Sequence, residues 1–347
     1  MKIGKTKLIA ENIAPPNARR LAIFDGSKKV GTVGISTMQP PNLGEKLYSF
    51  GLVSDLHLDG VGMNGTYLSE TMTFFEDQGC SFCCHAGDIT NIGFWYNPTD
   101  TEIYLAQMAD FKSVIDAHPN LPMHGICGNH ESYNKPITEN LTELKAYTGR
   151  DLYYTYTRGN DVFVFIGQPG GTSYVEREEW IAELEWLQET LETNRNKRCF
   201  VFEHPPVSDD SGNPQNIYST TWADLENTIV GIMKHYKNTI LFHGHSHLDF
   251  NEQFNYSYSN YSTQKGFKSV HIPSSSGSRI TVDGVLQPND ANLRSGYIAD
   301  VYEKCLVLKG YYFRNFEAVP IAQYCIETTL QTIAPNTFAD STGTIIT

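Results

Sequence analysis

From about residue 47 to residue 250, short apolar runs alternate with longer stretches of helical spacing, the rhythm of strands joined by helices. Residues 47–53, 81–85, 121–127, 161–167, 199–202 and 239–242 are strand-like, and residues 67–75, 101–117, 177–192 and 220–236 have helical periodicity. The clearest helix is 177–192, where Trp180, Leu184, Leu187 and Leu191 fall on one face. After residue 250 the pattern changes. Strand-like runs at 268–272, 279–282, 296–302 and 305–313 follow without helical spacing between them, and predict antiparallel pairing. The polar stretch 255–262 reads as an exposed loop or hairpin. Together these elements predict an α/β protein, a mixed sandwich of sheets covered by helices.

Two flanks stand outside this rhythm. Residues 1–46 alternate around turn signals such as Asp25-Gly26 and predict a small β extension. The pattern runs from 47 to 313, and residues 314–347, rich in Thr and Ala, read as an extension or tail. No internal repeat is evident.

The chain of 347 residues, 40% apolar and 19% charged, has the composition of a packed globular protein. Its net charge of -13, without a Lys/Arg run, argues against an extended nucleic-acid-binding face. A site for phosphate in so acidic a chain must reverse the field locally, as bound divalent cations do. The N-terminus lacks the apolar core of a signal peptide, and no stretch reaches the roughly 18 apolar residues of a membrane helix. Seven cysteines without a small-domain disulfide pattern read as reduced thiols, and a cytoplasmic location is expected. Cys80-Ser-Phe-Cys83 has CxxC spacing, but no second pair answers it, and strand thiols are the plainer reading.

Five short segments carry the candidate chemistry, each at or just past the end of an apolar run. They are Asp55-Leu-His57, Gly87-Asp88, Gly128-Asn-His-Glu131, His204, and Gly244-His-Ser-His247. Alone, each has an ordinary explanation: a surface pair, a turn, a loop residue. Together and in order, they place oxygen and imidazole donors where strand ends gather, at the carboxyl edge where open α/β sheets bind ligands. Such donors suit Mn, Fe or Zn, and no thiolate joins them. The glycines permit close backbone approach. His85 and His243, just before ligands, are expected to be packed or to support them, and His124 and His271 are assigned to structure. Arg279, after the Ser-rich segment 274–278 read as a flexible loop, could pair with phosphate or sit on the surface. Trp95 and Tyr133 follow ligand-bearing segments and could shape a pocket.

This ordered set resembles the calcineurin-like metallophosphoesterases, over about residues 47–313. The resemblance implies a double β-sandwich flanked by helices in four α/β/β/α layers, binding two divalent or trivalent metal ions. Asp55, His57 and His247 would hold one metal, with Asp88 bridging to the other. Asn129, His204 and His245 would complete the second position. His130 would face the substrate as general acid or phosphate clamp, with Glu131 orienting or supporting it as its catalytic partner. The implied reaction is attack on phosphorus by a hydroxide bridging the metals, with phosphodiesters slightly preferred over monoesters. A structural or attachment protein that keeps the domain as a scaffold is the rival reading, against which the intact ligand set argues. The flanks resemble, in composition, appendages of metallophosphoesterases from bacterial and phage-tail contexts. That would make them assembly elements, and so a route to oligomers or to a virion. The simpler alternative is a β extension and a frayed terminus.

Overall fold

The computed structural model describes residues 6–10, 20–25, 28–34, 42–59, 63–92, 101–132, 145–167, 177–207, 223–250, 261–263, 266–282, 285–288 and 293–328. Trp95 and Tyr133 lie outside the described residues, as do most of the polar stretch 255–262 and the last nineteen positions of the chain, 329–347.

Strands β1 (Thr6–Ala10), β2 (Arg20–Asp25) and β3 (Lys28–Gly34) form an antiparallel three-stranded sheet. Then β4 (Lys46–Val53), α1 (Met63–Asp77), β5 (Cys83–His85), α2 (Thr101–Ala117) and β6 (Met123–Gly125) build a parallel βαβαβ unit. A hairpin of β7 (Tyr153–Arg158) and β8 (Asp161–Ile166) leads into α3 (Arg177–Thr193), β9 (Arg198–Phe202), α4 (Ala223–His235) and β10 (Thr239–His243). The rest is β: β11 (Tyr261–Ser262), β12 (Lys268–His271), β13 (Arg279–Val282), β14 (Val285–Pro288), β15 (Ser295–Tyr302), β16 (Cys305–Tyr312) and β17 (Glu317–Glu327).

Two six-stranded sheets result, in the orders β17-β16-β15-β4-β5-β6 and β11-β12-β10-β9-β8-β7. Their inner faces meet in an aromatic core, including Phe50, Phe82, Phe163, Phe165, Phe200, Phe202 and Phe242, all without solvent exposure. Strand alternation divides the side chains between the two faces. On β8, Phe163 and Phe165 point into this core, while Val162, Val164 and Ile166 turn outward to Trp180, Leu184 and Leu187 of α3. Leu68, Met72 and Phe75 of α1 and Met108 and Phe111 of α2 cover the other sheet. The layering is therefore α/β/β/α: the mixed sandwich that the pattern predicts, in the four layers that the resemblance implies. A Phe→Ala change in the central layer costs about 3–5 kcal/mol in transfer and cavity terms.

Departures from the sequence expectation have local causes. Strand β7 alternates Tyr and Thr without an aliphatic run, and so escapes a search for apolar stretches. The strands after residue 250 are not uniformly antiparallel, because β12 pairs parallel with β10. Strand β17 lies past residue 313 yet extends the first sheet, burying Val319, Ala322 and Ile326 against the inter-sheet core. The CxxC thiols are buried beneath α1 and α2, and burial pushes Cys80 up to about 12 and Cys83 well above the usual range, so neither supplies a ready thiolate. Among the described residues, no helix is long and apolar enough to cross a membrane.

One buried ion pair ties the sheets together at the end where β8 and β9 begin. Arg198 donates from Nε and Nη2 to the two oxygens of Asp161 (2.8 and 2.6 Å), and from Nη1 to Tyr302 O and Thr328 Oγ1 (2.7 and 2.9 Å). Tyr48 adds its hydroxyl to Asp161 Oδ2 at 2.7 Å.

Candidate metal centre

The opposite end of the sandwich gathers the five segments. Asp55 and His57 follow β4, Asp88 follows β5, Asn129 and His130 follow β6, His204 follows β9, and His245 and His247 follow β10. Adjacent parallel strands thus deliver donors from both sheets to one edge. The donors form two groups that share Asp88: Asp55, His57, Asp88 and His247 in one, and Asp88, His204 and His245 in the other, with ligand atoms within 4.8 Å of each other in each. Asn129 completes the second group, its Oδ1 lying 3.0 Å from His204 Nε2 and 2.8 Å from His245 Nδ1.

The local backbone is unusual at these residues. Asp55, His57, Asp88, His245 and His247 all have φ between 44° and 71°, the left-handed region that side chains disfavour. Each such residue costs of order 1–3 kcal/mol unless its surroundings hold it there. Space is equally tight: a Cβ on Gly128 would collide with the Asp88 carboxylate, and one on Gly244 would collide with Ser54 and Asp55.

The donor set fits metal ions because its lone pairs converge. His204 Nδ1 donates to the carbonyl of Ala86 at 2.7 Å, so neutral His204 presents a bare lone pair at Nε2. That lone pair faces Asn129 Oδ1 and, at 3.2 Å, Asp88 Oδ2, both acceptors. Similarly, His57 Nδ1 donates to Thr90 O at 3.2 Å, and its Nε2 then lies 2.9 Å from His247 Nε2 and 3.8 Å from Asp88 Oδ2. His247 Nε2 sits 3.0 Å from Asp55 Oδ1. Lone pairs crowded in this way repel unless protons or a metal cation lie among them.

The electrostatics agree. Burial opposes charge on Asp55 and Asp88, but nearby imidazoles, His247 for Asp55 and His204 for Asp88, outweigh it and hold both carboxyls well below the usual range. Burial also favours neutral His204, yet Asp88 beside it pushes the ring up to about 9, drawing a proton to where a metal would bind. Burial and neighbouring imidazoles keep His57 well below its ordinary value and bring His245 down to about 3.

His130 stands differently. Its backbone N–H donates to Asp88 Oδ1 at 3.0 Å, while its ring is 20% exposed with Nε2 3.7 Å from Asp88 Oδ2. Glu131 is fully buried: Oε1 accepts from Thr90 N and Oγ1 (2.8 and 3.0 Å) and Oε2 from Gly128 N (2.7 Å). It therefore ties the loop after β5 to the loop after β6, and burial, with Asp88 adding repulsion, pushes it up to about 7.

Several partners escape the sequence reading. Thr90 and Ala86 orient the His57 and His204 imidazoles through backbone carbonyls, which no side-chain pattern reveals. Asn64, from the first turn of α1, donates to His57 O. The segment 274–278, expected to be a flexible loop, instead packs against the Asp55 loop, with Ser274 buried. Arg279 is half-buried, and its backbone N–H donates to His247 O at 2.8 Å. His85 and His243 are buried in strands, and His124 stacks on Tyr156 with ring centroids 4.0 Å apart.

A four-layer sandwich with donors from both sheets converging at one strand edge is the architecture of a metallophosphoesterase. The profile of the calcineurin-like phosphoesterases matches residues 48–249, and the chain belongs to that family. Its fold is similar to a dimetal phosphatase from Danio rerio, at 14% identity and TM-score 0.56, covering 82% of this chain and 100% of that one. It is also similar to a purple acid phosphatase from yellow lupin (Lupinus luteus) seeds, at 12% identity and TM-score 0.53, covering 81% of this chain and 53% of that one. No curated protein sequence matches.

Proposed function

We propose that this protein hydrolyses phosphoesters, phosphodiesters foremost, using two metal ions chosen from Mn, Fe and Zn. The observation that carries the reading is the convergence of carboxylate and imidazole donors on two adjoining positions that share Asp88. Asp55, His57 and His247 would hold one ion, and Asn129, His204 and His245 the other, with Asp88 between them. Metal ions so held supply Lewis acidity toward phosphoryl oxygens and lower the pKa of water toward neutrality. The chain's own residues supply the rest. His130, whose partly exposed ring lies beside Asp88, would clamp a phosphoryl oxygen or protonate the departing one. Glu131 acts on it indirectly, by holding Thr90 and Gly128 and so the two loops that flank it. The preference for diesters rests on the Gly-Asn-His-Glu segment, a variant common among phosphodiesterases of the family. The acidic chain leaves local charge reversal to the metals.

The test is turnover of bis(p-nitrophenyl) phosphate and of p-nitrophenyl phosphate by purified protein loaded with each metal in turn. Expected are activity abolished by chelation, restored by metal, and higher on the diester. Activity on the monoester alone would turn the reading into that of a phosphatase. No turnover of either substrate with any divalent metal would leave a scaffold or binding role.

A further inference from the structure

The ligand-bearing segments all lie between residues 55 and 247, but what holds two of them comes later in the chain, beyond the span that matches the family profile. As the chain leaves β12 it touches the loops after both β4 and β10. Ile272 N donates to His243 O at 2.8 Å, and His271 Nε2 and Ser246 Oγ meet at 2.8 Å, between the ligands His245 and His247. Three consecutive serines then meet the other loop. Ser275 donates to Ser54 O from both its backbone N (2.9 Å) and its hydroxyl (3.0 Å). Ser274 and Ser276 each donate a hydroxyl to Asp55 O, at 3.1 and 2.8 Å. The Ser274 oxygen also accepts from the backbone N–H groups of Ser276 and Gly277 (3.2 and 3.1 Å) and lies 3.1 Å from Ser276 Oγ, which ties the three residues together. Its own carbonyl accepts from Ser295 N at 3.0 Å, which anchors the segment to β15.

Asp55 needs such a hold. Its φ of 51° is one that a residue with a side chain keeps only where the surroundings impose it. The carboxylate is steered as well: Oδ2 accepts from Ser54 Oγ at 2.6 Å, and Oδ1 faces His247 Nε2. We propose that residues 271–276 are a positioning strap for the metal centre, in which the Ser274 and Ser276 hydroxyls fix the Asp55 backbone and thereby set the affinity of one metal position. The proposal rests on the two-metal reading. It has a signature that general packing lacks, because Asp55 belongs to only one of the two donor groups.

Calorimetric titration of the metal-free protein with Mn²⁺ tests it. The wild type is expected to bind two ions. In S274A/S276A, one binding step weakens by about 10–100-fold, the range found for outer partners of metal ligands, and the other, which Asp55 meets only through the His245 backbone N–H, changes far less. The weakened step is the one that Asp55→Asn also weakens. If the double variant does not fold, Ser276→Ala alone produces a smaller loss at that same step, and Ser276→Thr, which keeps a hydroxyl, restores it. Equal weakening of both steps, or wild-type affinity at both in a folded variant, overturns the strap and leaves the two-metal reading standing. A wild type that binds no metal overturns both.

Discussion

Two buried polar clusters lie at opposite ends of the sandwich, and they differ in completeness. At the end where β8 and β9 begin, Arg198 and Asp161 cancel each other's charge, and Tyr48, Tyr302 and Thr328 occupy further donors and acceptors around them. None of these residues has a left-handed backbone. At the other end, two carboxylates, an amide oxygen and several imidazole lone pairs face one another, on a backbone that is left-handed at five residues. The first cluster is satisfied by itself and holds the sheets together. The second is short of protons and leaves lone pairs that a metal ion can take. Burial and polarity are common to both, so what distinguishes a binding site here is the excess of acceptors over donors.

Breaking the incomplete cluster should produce the largest effect. Asp88→Asn removes the carboxylate that both donor groups share, and is expected to lower kcat/KM by more than about 100-fold, beyond the loss typical of outer partners. The fold should persist, which circular dichroism checks. At the complete cluster the pattern inverts. Arg198→Met leaves Asp161 charged and buried, and should cost about 3–5 kcal/mol of stability in urea unfolding, with kcat of the folded fraction retained. Replacing both partners by apolar residues should recover much of that loss.

A pH dependence sharpens the contrast. In the metal-free protein His204 is pushed up to about 9, so metal binding at its position must expel a proton. Affinity there should rise about tenfold per pH unit between roughly 6.5 and 9 and level off above, as one proton per ion requires. A flat titration of Mn²⁺ affinity across that window would contradict the assignment of His204 as a ligand. The smallest effect belongs to Tyr48→Phe. It removes one hydrogen bond from Asp161 and should cost about 1 kcal/mol, with no change in turnover.

Residues whose chemistry is visible in the side chain were legible in the sequence. Asp55, His57, Asp88, Asn129, His204, His245 and His247 each follow an apolar strand, and the structure draws all seven together. The layers were legible too, since β4, β8, β9 and α3 each carry their own periodicity. What stayed hidden depends on one chain segment crossing another. Ser274 and Ser276 look like linker residues until Asp55 O lies beneath them. Thr90 and Ala86 act through carbonyls, which every residue has. Strand β17 contains Pro320 and small residues, and only its pairing with β16 gives it shape.

The position of β4 has a consequence for how the chain is made. This strand carries Asp55 and His57 at its end, and it lies between β5 and β15 in the sheet. Its contact with β15 includes the hydrogen bond from Ser49 to Asp300, 251 residues away in sequence. A nascent chain emerging from the ribosome can form the parallel unit of β4, β5 and β6 early, but must keep one edge of β4 unpaired until almost all of the domain has been synthesised. That interval exposes an apolar strand edge to aggregation. A fragment ending at residue 249, though it contains every candidate metal donor, would keep that edge open permanently.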